Sequence, residues 1–227
     1  MEPDNRLIVA LDLPDRNELL AIARELCGKV GMVKVGLEAF VAHGPTLVSD
    51  LREMGHEVFL DLKVHDIPRT AAAAAREADR LGASLLTVHA AGGAEMIRAS
   101  REAASAALRI VAVTVLTSFD EAGFGEVGYR GNISEAATGL AQLAMGSGAD
   151  GLVCSALELD ALAEVGGLRV VPGVRPLGSP AGDQKRVVTP AEAVSMGASW
   201  IVVGRPIVQS DDPAAAAAAI VSDLKRG

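Results

Sequence analysis

The segment Asp61-Leu62-Lys63-Val64-His65-Asp66-Ile67-Pro68 places two carboxylates around one lysine, and it follows an apolar, β-branched run. Side chains two apart on a strand share a face. Asp61 and Lys63 are therefore neighbours, and in an otherwise apolar strand their shared face is predicted to point inward. A partly buried lysine needs a counter-charge, and Asp61 supplies one. A second lysine, Lys34, lies inside the apolar run Met32-Val33-Lys34-Val35-Gly36. An isolated Asp-x-Lys pair reads as a structural ion pair. Two lysines and two carboxylates at one rim are costly to bury for stability alone, which favours a chemical role.

Carboxylates beside Lys63 favour its charged form, whereas a Schiff-base lysine needs the neutral amine. A fixed ammonium suits stabilising a carbanion and then protonating it. Asp61 could also crowd a substrate carboxylate. Two like charges 4 Å apart repel by about 4 kcal/mol at an effective dielectric of ~20. Enzymes lower barriers by roughly 8–23 kcal/mol, so Lys63 and remote binding energy must supply most of the effect.

Such groups need strands to aim them. Short β-branched runs are expected at Leu7–Asp12, Met32–Gly36, Glu57–Lys63, Ser84–His89, Arg109–Leu116, Gly151–Cys154, Leu168–Val171 and Trp200–Val203. Between them helix-like segments are expected at Arg16–Leu26, Thr46–Met54, Arg69–Leu81, Ala94–Ala107, Ser134–Met145, Ala156–Glu164, Pro190–Ser195 and Pro213–Lys225. Most strand runs are apolar on both faces, as in a parallel sheet wrapped by helices. Leu81-Gly82-Ala83-Ser84, Ser147-Gly148-Ala149-Asp150 and Met196-Gly197-Ala198-Ser199 recur between helix and strand, with Met54-Gly55-His56-Glu57 a looser copy. The successive Gly-to-Gly intervals of 27, 66 and 49 residues read as one, two and two βα units, the middle pair lengthened near Phe119–Asn132. The expected fold is a single-domain (β/α)8 TIM barrel over residues 1–227, with a doubly wound open sheet as the alternative.

In either fold catalytic groups collect at the carboxyl ends of the strands. Asp12, Lys34, Asp61, Lys63, His89, Thr117-Ser118, Arg175 and Gly204-Arg205 all fall there. Gly204 permits close backbone approach, and Arg205 offers a planar fork suited to phosphate oxygens. Pro176–Lys185 is rich in Gly, Pro, Ser and charge and reads as part of a mobile loop near 175–188. His89 reads as a structural histidine hydrogen-bonded near the network, with substrate contact as its alternative. Asp211-Asp212-Pro213 reads as a helix N-cap.

Composition limits the partners. The net charge of −8 disfavours nucleic acid polymers and anionic membranes. One Trp, one Tyr and four Phe leave little surface for base stacking. Cys27 and Cys154 lack motif spacing, which points to a reducing, cytoplasmic setting. Met1-Glu2-Pro3-Asp4 is unlike a secretion signal, and no run of ~18 apolar residues is present to span a membrane.

The sequence closely resembles the orotidine 5′-phosphate decarboxylase family, whose signature Asp-x-Lys-x-x-Asp-Ile-Pro stands here at Asp61–Pro68. The likeness extends to Leu7–Asp12, Val33–Gly36, Val115–Ser118, Pro172–Arg175, Gly182–Arg186 and Val203–Pro206. It implies a dimeric barrel converting orotidine 5′-phosphate to UMP and CO2 without metal or organic cofactor. Lys63 would donate a proton to C6, with Asp61 and Lys34 holding the network. Asp66, Ile67 and Thr70 would reach the partner's site. Asp12 and Lys34 would bind the ribose, Thr117 and Ser118 would face the pyrimidine, and Arg175, Gln184, Gly204 and Arg205 would hold the phosphate. Two alternatives stay open. One is a magnesium-dependent sugar-phosphate decarboxylase or aldolase, with Glu38 as a possible ligand. The other is a catalytically silent nucleotide-binding barrel.

Overall fold

The computed structural model describes residues 4–176 and 188–225. Eight parallel strands close into a barrel in sequence order: β1 Asp4–Ala10, β2 Val30–Gly36, β3 Val58–Val64, β4 Leu85–His89, β5 Arg109–Val113, β6 Gly151–Val153, β7 Leu168–Val171 and β8 Trp200–Val203. Closure is made by β1 pairing with β8, Leu7 opposite Ile201 through Val9 opposite Val203. The open-sheet alternative is thereby excluded.

Around the barrel run α1 Arg16–Leu26, α2 Leu37–His43, α3 Thr46–Glu53, α4 Pro68–Arg80, α5 Gly93–Ala103, α6 Glu121–Glu126, α7 Ile133–Gly146, α8 Pro190–Ser195, α9 Arg205–Val208 and α10 Pro213–Leu224. Their starts are set by side-chain caps. Asp15 accepts from Glu18 N–H, Asn132 from Glu135 N–H, and Asp212 from Ala215 N–H, each at 2.8 Å. Such caps satisfy amides that a helix's first turn leaves unpaired. The repeated Gly positions mark the returns to the barrel: Gly55, Gly82, Gly148 and Gly197 have φ of 91°, 78°, 93° and 102°. That left-handed backbone disfavours any residue with a Cβ.

Strand alternation divides the core in two. Ile8, Ala10, Met32, Phe59, Leu85, Val111, Val113, Val153, Val170 and Val202 fill the barrel interior, with every strand contributing. Leu7, Val9, Val33, Val35, Leu60, Leu86, Ile110, Leu152 and Ile201 face outward into the helical layer. This two-sided burial is why the strands read as nearly continuous apolar runs.

The structure corrects some boundaries. Ala156–Glu164 is not a helix: a single 3-10 turn at Ala156–Glu158 gives way to further turns. The Arg169 guanidinium donates to the carbonyls of Leu162, Ala163 and Val165, engaging oxygens of the connection back to β7. The long connection near Phe119–Asn132 contains α6, where Phe124 stacks on Tyr129 at 4.6 Å. Strand β5 stops at Val113, three residues short of the expected Leu116.

Candidate active site

Following the interior face upward, apolar layers give way to polar ones at the carboxyl rim. On β1 the series is Ile8, Ala10 and then Asp12 just beyond the strand. On β2 it is Met32, Lys34 and Gly36, on β3 Phe59, Asp61 and Lys63, and on β4 Leu85, Thr87 and His89. The rim is thus built from the period of two.

These side chains form a chain of alternating charge. Asp12 Oδ2 lies 2.7 Å from Lys34 Nζ, Lys34 Nζ lies 3.4 Å from Asp61 Oδ2, and Asp61 Oδ1 lies 2.8 Å from Lys63 Nζ. Lys34 is buried, whereas the Lys63 side chain is 39% exposed, so Lys63 is the end open to a ligand. Asp12 Oδ1 also accepts from Gly36 N–H at 3.0 Å. Burial alone would push the Asp61 carboxyl up. The Lys34 and Lys63 charges, with hydrogen bonds from Lys63 and Thr87, override it and hold Asp61 below its ordinary value. Asp61 is therefore an anion at neutral pH.

Lys63 is the only non-glycine among the described residues with positive φ, at 52°. The β3–β4 register shifts between Leu60 and Val64, as a β-bulge requires. Left-handed backbone costs a residue with a Cβ roughly 1–2 kcal/mol, and such strain concentrates at functional positions.

The second carboxylate of the network is Asp12. Asp66, the other carboxylate of the Asp61–Pro68 segment, is exposed and its Oδ1 accepts from Ile67 N–H at 2.7 Å. It stands on the connection by which the chain leaves β3 after Val64 to start α4 at Pro68. Ile67 is 61% exposed and Thr70 is exposed, so Asp66, Ile67 and Thr70 present one outward patch.

A cleft of about 410 Å³ opens beside the network, lined by Asp12, Glu38, Pro172, Gly173, Arg175, Gly204 and Arg205 among others. Asp12 thus borders both the charge chain and the arginines. A Cβ at Gly204 would come 3.3 Å from Ala10 Cβ, so glycine keeps the turn close against β1. Arg175 is buried and its N–H donates to Val188 O at 3.1 Å. Gln184 and most of the expected loop at 175–188 lie outside the described residues. Thr117 is exposed and lines a small neighbouring cavity with Leu116, Phe119 and Pro172; Ser118 is exposed.

His89 differs from expectation. Its ring packs 5.4 Å from that of His65, in place of a hydrogen bond to the network. Burial, then the His65 and Lys63 charges, lower its pKa against the opposing pull of Asp61. Cys154 offers no ready nucleophile, since burial and then the Glu158 charge push its thiol up to about 12. Glu38 lines the cleft, and among the described residues no three His, Cys, Asp or Glu side chains group so as to hold a metal ion. Two further residues contribute. Gly36, which falls within a stretch shared with the family but has no role assigned there, donates its N–H to Asp12, and Thr87 stands within the β4 run with no local signal to mark it.

Reacting groups gathered on the carboxyl rim of a closed parallel barrel define a (β/α)8-barrel enzyme. Residues 5–220 match the Orotidine 5'-phosphate decarboxylase / HUMPS family, and the chain belongs to it. It is 52% identical over 227 residues to an orotidine 5'-phosphate decarboxylase of Anaeromyxobacter sp. (strain K), covering 99% of this chain and 100% of that one. It is 51% identical to the Halorhodospira halophila protein of the same name, covering 96% and 95%. The crystal structure of orotidine 5'-phosphate decarboxylase from Lactobacillus acidophilus superposes with a TM-score of 0.85 at 38% identity, covering 97% of this chain and 99% of that chain. An uncharacterized conserved protein from Geobacillus kaustophilus gives 0.83 at 37%, covering 96% and 99%.

Proposed function

We propose that this chain is a carboxy-lyase that converts orotidine 5′-phosphate to UMP and CO2 in de novo pyrimidine biosynthesis. The observation that carries this is the place of Asp12: it pairs with Lys34 at 2.7 Å and also lines the cleft that holds Arg175, Gly204 and Arg205. A nucleotide laid along that line puts its phosphate at the arginines, where these barrels commonly bind phosphate. Its ribose then meets Asp12 and Lys34, and its pyrimidine reaches Lys63 with Thr117 and Ser118 nearby. Gln184 is assigned to the phosphate end from the family resemblance.

The bond between C6 and the carboxylate carbon breaks, CO2 departs, and the electron pair stays on C6. The Lys63 ammonium stabilises that charge and then gives C6 a proton, leaving a neutral amine that water reprotonates. Asp61 holds Lys63 in line and stands near the substrate carboxylate. Its repulsion, on the order of 4 kcal/mol, is a minor share of the barrier reduction. Remote binding at the phosphate contributes further.

The proposal includes a homodimer with shared sites, in which Asp66, Ile67 and Thr70 of one subunit complete the other's pocket. Their outward exposure, with Leu37 58% and Val41 75% exposed on α2, supports this. It also includes a cytoplasmic setting and no metal or organic cofactor. The unpaired Cys27 and Cys154 are in keeping with a reducing compartment. Among the described residues no helix is long and apolar enough to cross a membrane.

The test is loss of orotate absorbance on adding orotidine 5′-phosphate, with and without EDTA. Full activity is expected in both. Activity lost on chelation would favour a metal-dependent sugar-phosphate relative using Glu38. Tight UMP binding with no turnover would favour a silent nucleotide-binding barrel.

A further inference from the structure

We propose that Thr87 is the positioning residue that aims the Lys63 ammonium, its single hydroxyl fixing both the Lys63 backbone and the Asp61 carboxylate. This rests on the decarboxylase reading and adds a residue to its machinery.

Thr87 sits on β4, one interior layer above Leu85, and is fully buried. Its Oγ1 lies 2.8 Å from Lys63 N and 3.0 Å from Asp61 Oδ1. A hydroxyl carries one proton and two lone pairs. The Lys63 N–H can only donate, so Thr87 accepts there. An ionised Asp61 can only accept, so the hydroxyl proton goes to it. The directions of both bonds are therefore fixed: one lone pair takes the Lys63 amide and the proton goes to Asp61.

The first bond addresses the bulge in β3. Where the ladder slips between Leu60 and Val64, the Lys63 amide needs an acceptor other than a regular strand carbonyl. Thr87 supplies it, and this bond secures the residue whose φ is 52°. That backbone returns the Lys63 side chain onto Asp61, Nζ to Oδ1 at 2.8 Å. The second bond fixes the rotation of the carboxylate. Oδ1 receives Thr87 and Lys63, leaving Oδ2 facing Lys34 at 3.4 Å. Packing alone does not call for the hydroxyl. Valine has nearly the same shape, and the same interior face carries Val111, Val170 and Val202.

Removal should act on the chemical step. The phosphate cleft does not include Thr87, so nucleotide capture should survive. The pH profile should move as well. Asp61 is faced by Lys34 from β2, Lys63 from its own β3 and Thr87 from β4, with Asp12 on the far side of Lys34 and His89 within its field. The Thr87 bond is one of the influences lowering the Asp61 pKa. Its loss shifts the acid limb of activity to higher pH.

The experiment compares the full-length wild type with Thr87→Val and Thr87→Ser. It measures kcat, KM, the pH dependence of kcat, UMP affinity and thermal stability. Thr87→Val should lower kcat by roughly 30-fold or more while KM and UMP affinity change less than about threefold, with the acid limb displaced upward. Thr87→Ser, which keeps the hydroxyl, should recover kcat to within about threefold. A Thr87→Val enzyme with kcat within threefold of wild type and an unmoved acid limb would overturn the proposal. Should Thr87→Val not fold, Thr87→Cys against Thr87→Ser decides, because the pair differs only in sulfur for oxygen. The cysteine form should fall at least tenfold below the serine form in kcat, and equality would overturn the role. A wild-type protein without turnover would sink the decarboxylase reading and this role together. Wild-type turnover with an unaffected Thr87→Val would sink this role alone.

Discussion

Lys34 and Asp61 meet across adjacent strands at 3.4 Å although the β2–β3 register sets Lys34 opposite Phe59 and Gly36 opposite Asp61. The ammonium must therefore reach forward, past its own level in the barrel, to stand between Asp61 and Asp12. One cation is shared by two carboxylates from different strands. Its position screens their mutual repulsion and leaves Lys63 as the more exposed of the two lysines.

The space for that reach is made by Gly36. A Cβ there would stand 2.8 Å from Lys34 Nζ and would run into the Asp12 carboxylate. Gly36→Ala should therefore push the Asp12–Lys34 pair apart without touching Lys63. The expected result is a fall in kcat/KM of about 10²-fold, with a stability loss of about 1–3 kcal/mol from overpacking. Steady-state kinetics and urea unfolding measure both. Wild-type kinetics in this variant would show that the pair tolerates displacement.

Lys63 combines chemical and conformational demands, and two substitutions separate them. Lys63→Ala and Lys63→Gly both remove the proton donor, so neither should turn over substrate, while UMP binding persists in both. Their stabilities should differ. Alanine retains the Cβ that opposes the 52° φ, and glycine does not. Offset by glycine's greater unfolded-state entropy, Lys63→Gly should be the more stable by roughly 0.5–1 kcal/mol. Equal or reversed stabilities would mean the bulge relaxes once the lysine is gone, and normal turnover by either would end the proposed mechanism.

Much of this was legible in the sequence because the barrel's architecture is periodic. Apolar residues on both strand faces predicted a covered parallel sheet, and the recurring glycines marked the helix-to-strand returns. Polar interruptions at Lys34 and Asp61 stood out against their runs. Thr87 did not, since a threonine in Leu85-Leu86-Thr87-Val88-His89 is what β-propensity alone would allow. Its role depends on a bulge in another strand, which no local pattern encodes. The pairing of Lys34 with Asp12 rather than Asp66 is likewise a matter of tertiary register. The segment after Ser155 carries helix-forming residues, but Arg169, four to seven positions further along, donates to the carbonyls of Leu162, Ala163 and Val165, a competitor that the local pattern does not show.

Asp66 is expected to act in the site of a second subunit. Asp66→Ala and Lys63→Ala homodimers should each be inactive or severely impaired. Mixed by co-refolding, half of the dimers would be hybrids, and each hybrid would hold one site with both wild-type residues. Roughly a quarter of wild-type activity should return. No gain on mixing, with exchange verified by differently tagged chains, would place Asp66 in its own chain's site.

The pH dependence of stability should be dominated near neutrality by histidine. His56 is buried, with Nε2 2.8 Å from Ala23 O; burial lowers its pKa against the opposing backbone hydrogen bond. His89 is lowered too, chiefly by burial. Both stay neutral in the folded state while the unfolded chain takes up protons near pH ~6.5. The unfolded state then binds more protons, so stability is full above that value and falls as pH drops through it toward the folded pKa values. Asp61 has the same sign, but its loss begins only near the ordinary carboxylate range of about 4. Urea unfolding between about pH 7.5 and 5.5 should therefore show declining stability. His56→Gln keeps a donor for Ala23 O but cannot take up the proton, so it should flatten that decline. An unchanged slope in this variant would remove His56 as a source of the pH dependence and leave His89 to account for it.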